Sequence, residues 1–395
     1  MSALRICMLL HKSVVYDSRV RREARTLTEA GHRVTVVELD RGARGSLDGF
    51  ARVSASPPEG VCRALPFHAY RGAFLAGFVA RVVQARPDVV HAHDAAMLVP
   101  GLLAARFTGA RLVYDSHELA TGVPYREGGW ARFVSAVERL AVPRCAAVIT
   151  VSDGIAERLQ ELYGLRRRPT VVRNVCALAP AAPTGELRAR LGIDGAPLVL
   201  HQGAAAPDRG CEVLIRAMES VPGAHLVFLG DEGAPGFTAQ LRVLAHGGRL
   251  DGRVHFHPGV PLDRLLAFTA EADVGVSLLQ DTCENHRLAL PNKVFEYVAA
   301  GVPVVVSDLP ELRRLVDRYG IGRCTEAADP GAAAATLRSA LADRRDAALA
   351  SAARELSWEH ERERLLALYA RLGANRSRCS RSNTRYSDSD ARITE

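Results

Sequence analysis

Short apolar runs rich in valine and isoleucine recur along this chain, each followed by a polar turn and a segment with apolar residues at helical spacing. RICMLL (5–10) comes first, ahead of a helix predicted from Ser18 to Ala30 and ended by Gly31. VTVVELD (34–40), DVVHAHD (88–94), ARLVYDSHEL (110–119), AAVITVSDGIAERL (146–159) and PTVVRNV (169–175) continue the series. Ser152 or Asp153 is placed to cap the helix after VITV. Strands covered by helices on both faces read as unbroken apolar runs, so this half predicts a parallel sheet in an α/β domain. Residues 176–197 carry Pro180, Pro183 and Pro197 and few large apolar side chains, the composition of a linker. A second set then starts: PLVLHQG (197–203), AHLVFLGDEG (224–233), RVHFHPG (253–259), ADVGVSLL (272–279) and VPVVVSD (302–308). The pattern predicts an α/β fold of two Rossmann-like parallel-sheet domains, residues 1–176 and 177–356. An amphipathic helix at 357–373 closes back on the first. The segment 374–395 is polar and nearly free of aliphatics, so it is expected to be disordered.

Open parallel sheets bind ligands outside the carboxyl ends of their strands, which directs attention to the loops after each apolar run. No G-x-G-x-x-G follows the first strand and no G-x-x-x-x-G-K-[ST] occurs, which argues against a dinucleotide dehydrogenase and a P-loop NTPase. Composition narrows the classes further. With 395 residues, 48% hydrophobic and 24% charged, the chain is an ordinary globular protein of two-domain size. Its formal charge of +7 is dispersed, without the basic block and interleaved aromatics that suit nucleic acid. An anionic small molecule or membrane surface fits that distribution better. The eight cysteines form no C-x-x-C pair, so neither a zinc site nor a disulfide framework is expected. The first residues hold no leader pattern, and no apolar run is long enough to cross a bilayer, so a cytoplasmic location is expected. Of 51 basic residues only Lys12 and Lys293 are lysines. In such a chain a retained lysine either marks a place that needs a compact ammonium or survives by chance.

Lys293 has informative neighbours, in LPNKVFEYVAAGVPVVVSD (290–308). Pro291 holds Leu290 extended, Asn292 is a good N-cap, KVFEYVAA is helical, and Gly301 with Pro303 ends the helix. The free N–H groups and positive end of this helix suit a diphosphate, and Lys293 adds a full charge. Glu296, one turn on, can accept two hydrogen bonds, as the hydroxyls of a ribose would offer. The plain alternative is a capped amphipathic helix whose Lys293 and Glu296 are solvated.

FEYVAAGVPVV (295–305) resembles the donor-site helix of the retaining glycosyltransferases of family 4, where an E-x7-E motif precedes F-E-x-x-A-x-G-x-P-V-V. DSRVRREARTLTEAGHRVTVV (17–37), DVVHAHDAAMLVPGLLAAR (88–106), LVYDSHEL (112–119) and VITVSDGIAERL (148–159) are similar to a bacterial branch of the same family, in the same order and spacing. The resemblance covers residues 5 to about 370. It implies the GT-B fold, in which the two domains face each other across a cleft, acceptor on the first and nucleotide sugar on the second. It assigns Glu296 to the nucleotide ribose. It places Arg209, in D-R-G, with Asn292 and Lys293 at the diphosphate of a UDP- or GDP-type donor, beside the Gly203 turn. It has His117 reach the donor sugar near the leaving group, although a loop histidine bonded to local backbone is the plainer reading. Two positions depart from the family: Leu288 stands where the first glutamate of E-x7-E belongs, and Ala204 where a basic residue follows the glycine. Glu284, Asn285 and His286 are the candidates to replace them.

On the first domain, Asp94 is placed to bind an acceptor hydroxyl. Asp17, Ser18 and Arg19 either cap the first helix or face the acceptor. His91/His93 and His255/His257 each share one strand face by their i, i+2 spacing. With Asp94 the first pair imitates a metal site, but no third ligand at suitable spacing appears, so no metal is expected. RGAFLAGFVARVVQAR (71–86) is a basic amphipathic helix that either packs on its own sheet or touches an anionic membrane. The expected reaction is transfer of a hexose-like unit to a hydroxyl with retention of configuration and no cofactor. A sugar-nucleotide epimerase and a catalytically weak nucleotide-sugar-binding protein are the rivals.

Overall fold

The computed structural model describes residues 3–57, 67–123, 129–177, 182–246, 250–343 and 345–386, with the side chains at 67–71, 130 and 375–386 excepted. Among the described residues, fourteen strands fall into two sheets. The first holds β1 (Arg5–Leu10), β2 (Arg33–Glu38), β3 (Ser46–Leu47), β4 (Phe50–Ser54), β5 (Val89–His93), β6 (Arg111–Ser116), β7 (Ala147–Thr150) and β8 (Thr170–Val171). The second holds β9 (Leu198–Gln202), β10 (His225–Leu229), β11 (Val254–His257), β12 (Val274–Ser277), β13 (Val304–Ser307) and β14 (Gly322–Thr325). The orders are β3-β4-β2-β1-β5-β6-β7-β8 and β11-β10-β9-β12-β13-β14, parallel throughout except for the β3–β4 hairpin. Each sheet runs outward from its first strand, then reverses to the other side. This doubly wound order places the ligand crevice at the reversal, between β1 and β5 and between β9 and β12.

The valine-rich runs form the central strands because helices cover both faces, and every residue of β5, β9, β12 and β13 is buried. β3 and β14 at sheet edges and β4 beside β3 are short and carry Ser46, Arg323 and Arg52, so no apolar run announces them. Helix Phe67–Ala85 packs on its own sheet: Phe78 and Val82 are fully buried with Cys7, Leu9 and Val90. Among the described residues no helix is long and apolar enough to cross a membrane, and the six described cysteines are free thiols.

The closing helix spans Trp358–Tyr386 and lies against the first domain. The Trp358 indole donates to Thr26 Oγ1 at 2.9 Å, and buried Glu361 holds the Arg173 guanidinium at 3.0 Å. Tyr369 Oη lies 3.0 Å from His91 Nδ1. The helix passes Gly373 and enters the segment expected to be disordered; residues 387–395 lie outside those described. Arg22, stacked 5.6 Å over the Trp358 ring, adds to this seam.

Candidate active site

The two crevices face one another across a cleft of about 1130 Å³ lined from both domains. On the second domain, the helix Asn292–Ala299 points its N-terminus at the turn after β9. Pro291 rather than Asn292 occupies the N-cap, so the helix begins one residue earlier than its sequence implies. This leaves the Asn292 side chain exposed at the cleft. Lys293 crosses to His201, its Nζ 3.2 Å from the imidazole Nε2. Burial, and after it the nearby Arg209 guanidinium, lowers the Lys293 ammonium to about 8. His201 is held neutral by burial and by Lys293, and so accepts this hydrogen bond. Gly203 lies under the lysine chain with φ +90°, a conformation that frees the turn to approach it. Lys293, Arg209, Asn292 and Gly203 therefore share one wall.

Glu296 lies one turn further in. Its Oε2 accepts from Gln202 Nε2, and Gln202 Oε1 lies 2.6 Å from Thr269 Oγ1. Burial raises the Glu296 carboxyl, with Lys293 and Arg22 opposing. Tyr297, the next residue, accepts from the Gln202 amide and donates to the Leu200 carbonyl, fastening helix to strand. Gln202, Thr269 and His201 were not read as site residues. Gln202 and His201 lie at the end of an apolar strand, where an uncharged polar side chain signals a fixed network.

On the first domain, His117 follows β6. Its Nδ1 lies 3.3 Å from Asp94 Oδ2 and its Nε2 3.1 Å from Asp115 Oδ2. Burial alone would lower its titration, but the two carboxylates overcome it and lift the ring to about 9. His117 is thus an imidazolium at neutral pH, with both N–H groups committed, beside the cleft. Asp94 orients it from a backbone at φ 63° and ψ 163°, a strained conformation of the kind found at functional sites.

On the acceptor side, Asp17 takes the capping one of its two readings, and the expectation for Arg19 changes. Asp17 caps the first helix, taking the Val20 amide at 3.0 Å, and pairs with Lys12 at 3.0 Å. Arg19 faces inward, not toward an acceptor: it is fully buried, bidentate to Asp115 at 2.8 and 2.9 Å and 3.1 Å from Glu23. Its extended guanidinium and the His117 ring together satisfy the buried Asp115 carboxylate. Ligand-type atoms of Glu23, His91, His93 and Asp115 fall within 4.8 Å of one another, and Arg19 supplies the positive charge among them. His255 instead stacks on His225.

The segment 283–289 spans the cleft. Asn285 Oδ1 accepts the Leu119 amide at 2.8 Å, Ser152 donates to the Leu288 carbonyl at 2.6 Å, and Glu284 meets Arg158 at 2.7 Å. Leu288 packs on the apolar cluster around Val151 and Ile155. Asn285, His286 and Ala204 line the cleft; Glu284 is taken up by the domain contact.

Two doubly wound domains with a cationic helix terminus on one side of the cleft and an ion-paired histidine on the other define the GT-B class of glycosyltransferases. Residues 18–177 match the family described as Glycosyltransferase Family 4, and residues 196–343 match Glycosyl transferases group 1. The chain belongs to this group 1, family 4 type. It is 29% identical over 397 residues to a D-inositol 3-phosphate glycosyltransferase of Xylanimonas cellulosilytica, covering 88% of this chain and 93% of that one. A glycogen synthase of Mycobacterium tuberculosis is 28% identical over 268 residues, 65% of this chain and 61% of that protein. Anabaena HepE in complex with UDP-glucose superposes with a TM-score of 0.72 at 17% identity, covering 94% of this chain and 99% of HepE. A Rickettsia africae glycosyltransferase gives the same score at 16% identity, covering 94% and 99% of the two chains.

Proposed function

We propose that the protein transfers a hexose-like unit from a UDP- or GDP-type sugar to an acceptor hydroxyl with retention of configuration, in cell-surface polysaccharide, glycolipid or secondary-metabolite biosynthesis in the cytoplasm. The observation that carries this reading is the meeting of Lys293, Arg209 and a helix N-terminus on one wall, with Glu296 a turn beyond. In this reading the diphosphate leaves against the Lys293 ammonium, the Arg209 guanidinium and the helix dipole. These groups are in place before reaction, and no cofactor is called for. Glu296, held by Gln202, receives the ribose hydroxyls. The His117 imidazolium lies on the opposite wall, toward the sugar, and cannot act as a base while both its nitrogens carry protons. The acceptor proton then passes to the departing phosphate oxygen on the same face, which preserves configuration. HepE, whose structures hold UDP, UDP-glucose and glucose, supports a nucleotide-sugar donor.

Incubating the protein with a panel of nucleotide sugars tests the reading. Slow release of nucleoside diphosphate with an unaltered sugar is expected, and the anomer of any transferred sugar, read by NMR, should match the donor. An epimerised sugar would replace it with the epimerase reading, and binding without turnover with the nucleotide-sugar-binding protein that Leu288 and Ala204 suggest.

A further inference from the structure

A second cavity, of about 520 Å³, opens on the first domain outside the cleft. Arg41, Arg44, Arg52 and Arg81 line it, together with Ser54 and Ser56, and no carboxylate does so among the described residues. Arg52 is the anchored member, tied to Glu38 at 2.7 Å and to Asp40 at 3.0 Å, and only 12% exposed. Arg81 is fastened through neutral acceptors, the Ser54 carbonyl at 3.2 Å and the Gln84 side chain at 3.3 Å, so no carboxylate among the described residues pairs with it. Arg44 stands exposed on the loop before β3. Arg44, Arg52 and Arg81 against the two carboxylates behind Arg52 leave, among the described residues, a net positive concavity built from forks that match phosphate geometry.

Its place in the sheet gives it meaning. The cavity lies over the ends of β2 and β4, on the same carboxyl edge as His117 and Asp94. The loop after β1 joins the two regions: Ser13 donates to Asp40 at 2.8 Å, and the Val14 amide donates to Glu38. Adjacent strands are about 4.8 Å apart, so β4 stands roughly 14 Å from β5, which carries Asp94 at its end. One acceptor molecule can span that distance. We infer that the acceptor carries a phosphate group, seated among Arg44, Arg52 and Arg81 while its hydroxyl reaches the cleft. This rests on the transferase reading above. The phosphate belongs either to a lipid headgroup or to a soluble phosphorylated acceptor.

The test uses the full chain and inorganic phosphate as probe. In a Lys293→Ala background, which removes the donor-side ammonium, calorimetry should still find a phosphate site. Adding Arg44→Ala and Arg81→Ala should weaken that site about tenfold or more, and Arg44→Lys with Arg81→Lys should restore part of it. Absence of the site, or affinity unmoved by the two alanines, overturns the inference. Co-sedimentation with vesicles of phosphatidylglycerol and phosphatidylcholine, against phosphatidylcholine alone, separates the sources. Vesicle binding lost with Arg44 and Arg81 assigns the phosphate to a lipid, and phosphate binding without vesicle binding assigns it to a soluble acceptor. Failure of the donor reading would show elsewhere, as nucleoside diphosphate affinity indifferent to Lys293→Ala.

Discussion

Lys293 is poised rather than fully committed as a cation. With its ammonium lowered to about 8, it loses charge in the mildly alkaline range when the cleft is empty. A bound diphosphate favours the charged form and raises that value, so proton uptake accompanies binding above about pH 8. Affinity for a nucleoside diphosphate should therefore fall as pH rises past 8, by up to about tenfold per pH unit. Lys293→Arg should flatten the profile, and a flat profile for the parent chain would refute the assignment. Lys293→Ala should weaken diphosphates about ten- to a hundredfold in calorimetry while sparing nucleosides, whereas Glu296→Gln should weaken both. His117 behaves oppositely in kind, because its proton is held by the fold itself. Its titration is raised from 6.5 to about 9, so its contribution to stability is full below pH 6.5 and fades as pH climbs through 9. The loss should reach about 3 kcal/mol at most, measured by urea unfolding at pH 6 and pH 9.5. His117→Gln should remove most of that pH dependence.

Tyr297 shows how an element is held to its site. Its hydroxyl takes the Gln202 amide and reaches the Leu200 and Val276 carbonyls, and its ring lies against Gly275 of β12. A methyl group at 275 would overlap that ring, so Gly275→Ala should cost about 1–3 kcal/mol in unfolding free energy. Nucleoside affinity should drop with it, because Glu296 is the adjacent residue; stability unchanged from the parent would refute the packing argument. The helix bearing Lys293 and Glu296 was legible in sequence because its signals are local: a proline before it, a glycine after it, and a charge in its first turn. The central strands were legible as valine runs for the same reason. Arg19 was misread because a buried arginine and a solvated one look alike in sequence; its partner Asp115 lies 96 residues away. Gln202 and Thr269 stayed hidden likewise, since their pairing joins positions 67 residues apart. β3, β4 and β14 escaped notice because polar residues interrupt them, and pairing rather than an apolar run defines them.

The molecule closes on itself twice, once across the cleft through 283–289 and once through the last helix. A chain ending at residue 375 should melt within about 2 °C of the full chain, because the contacts described for that helix lie between Trp358 and Leu372. A chain ending at residue 357 should lose the cooperative melting of the first domain while β9–β14 remain folded, as read by calorimetry. Equal damage to both domains, or to neither, would contradict the division of contacts. The position of that helix also bears on birth order. A ribosome releases Trp358, Glu361 and Tyr369 after every strand of both sheets, yet Thr26, Arg173 and His91 await them in the domain made before the second. The usual vectorial sequence, amino-terminal domain first, is thereby reversed: the second domain has all six strands in hand while the first still exposes an uncovered seam. A premature stop codon between β14 and Trp358 would thus injure the domain translated before the one it follows.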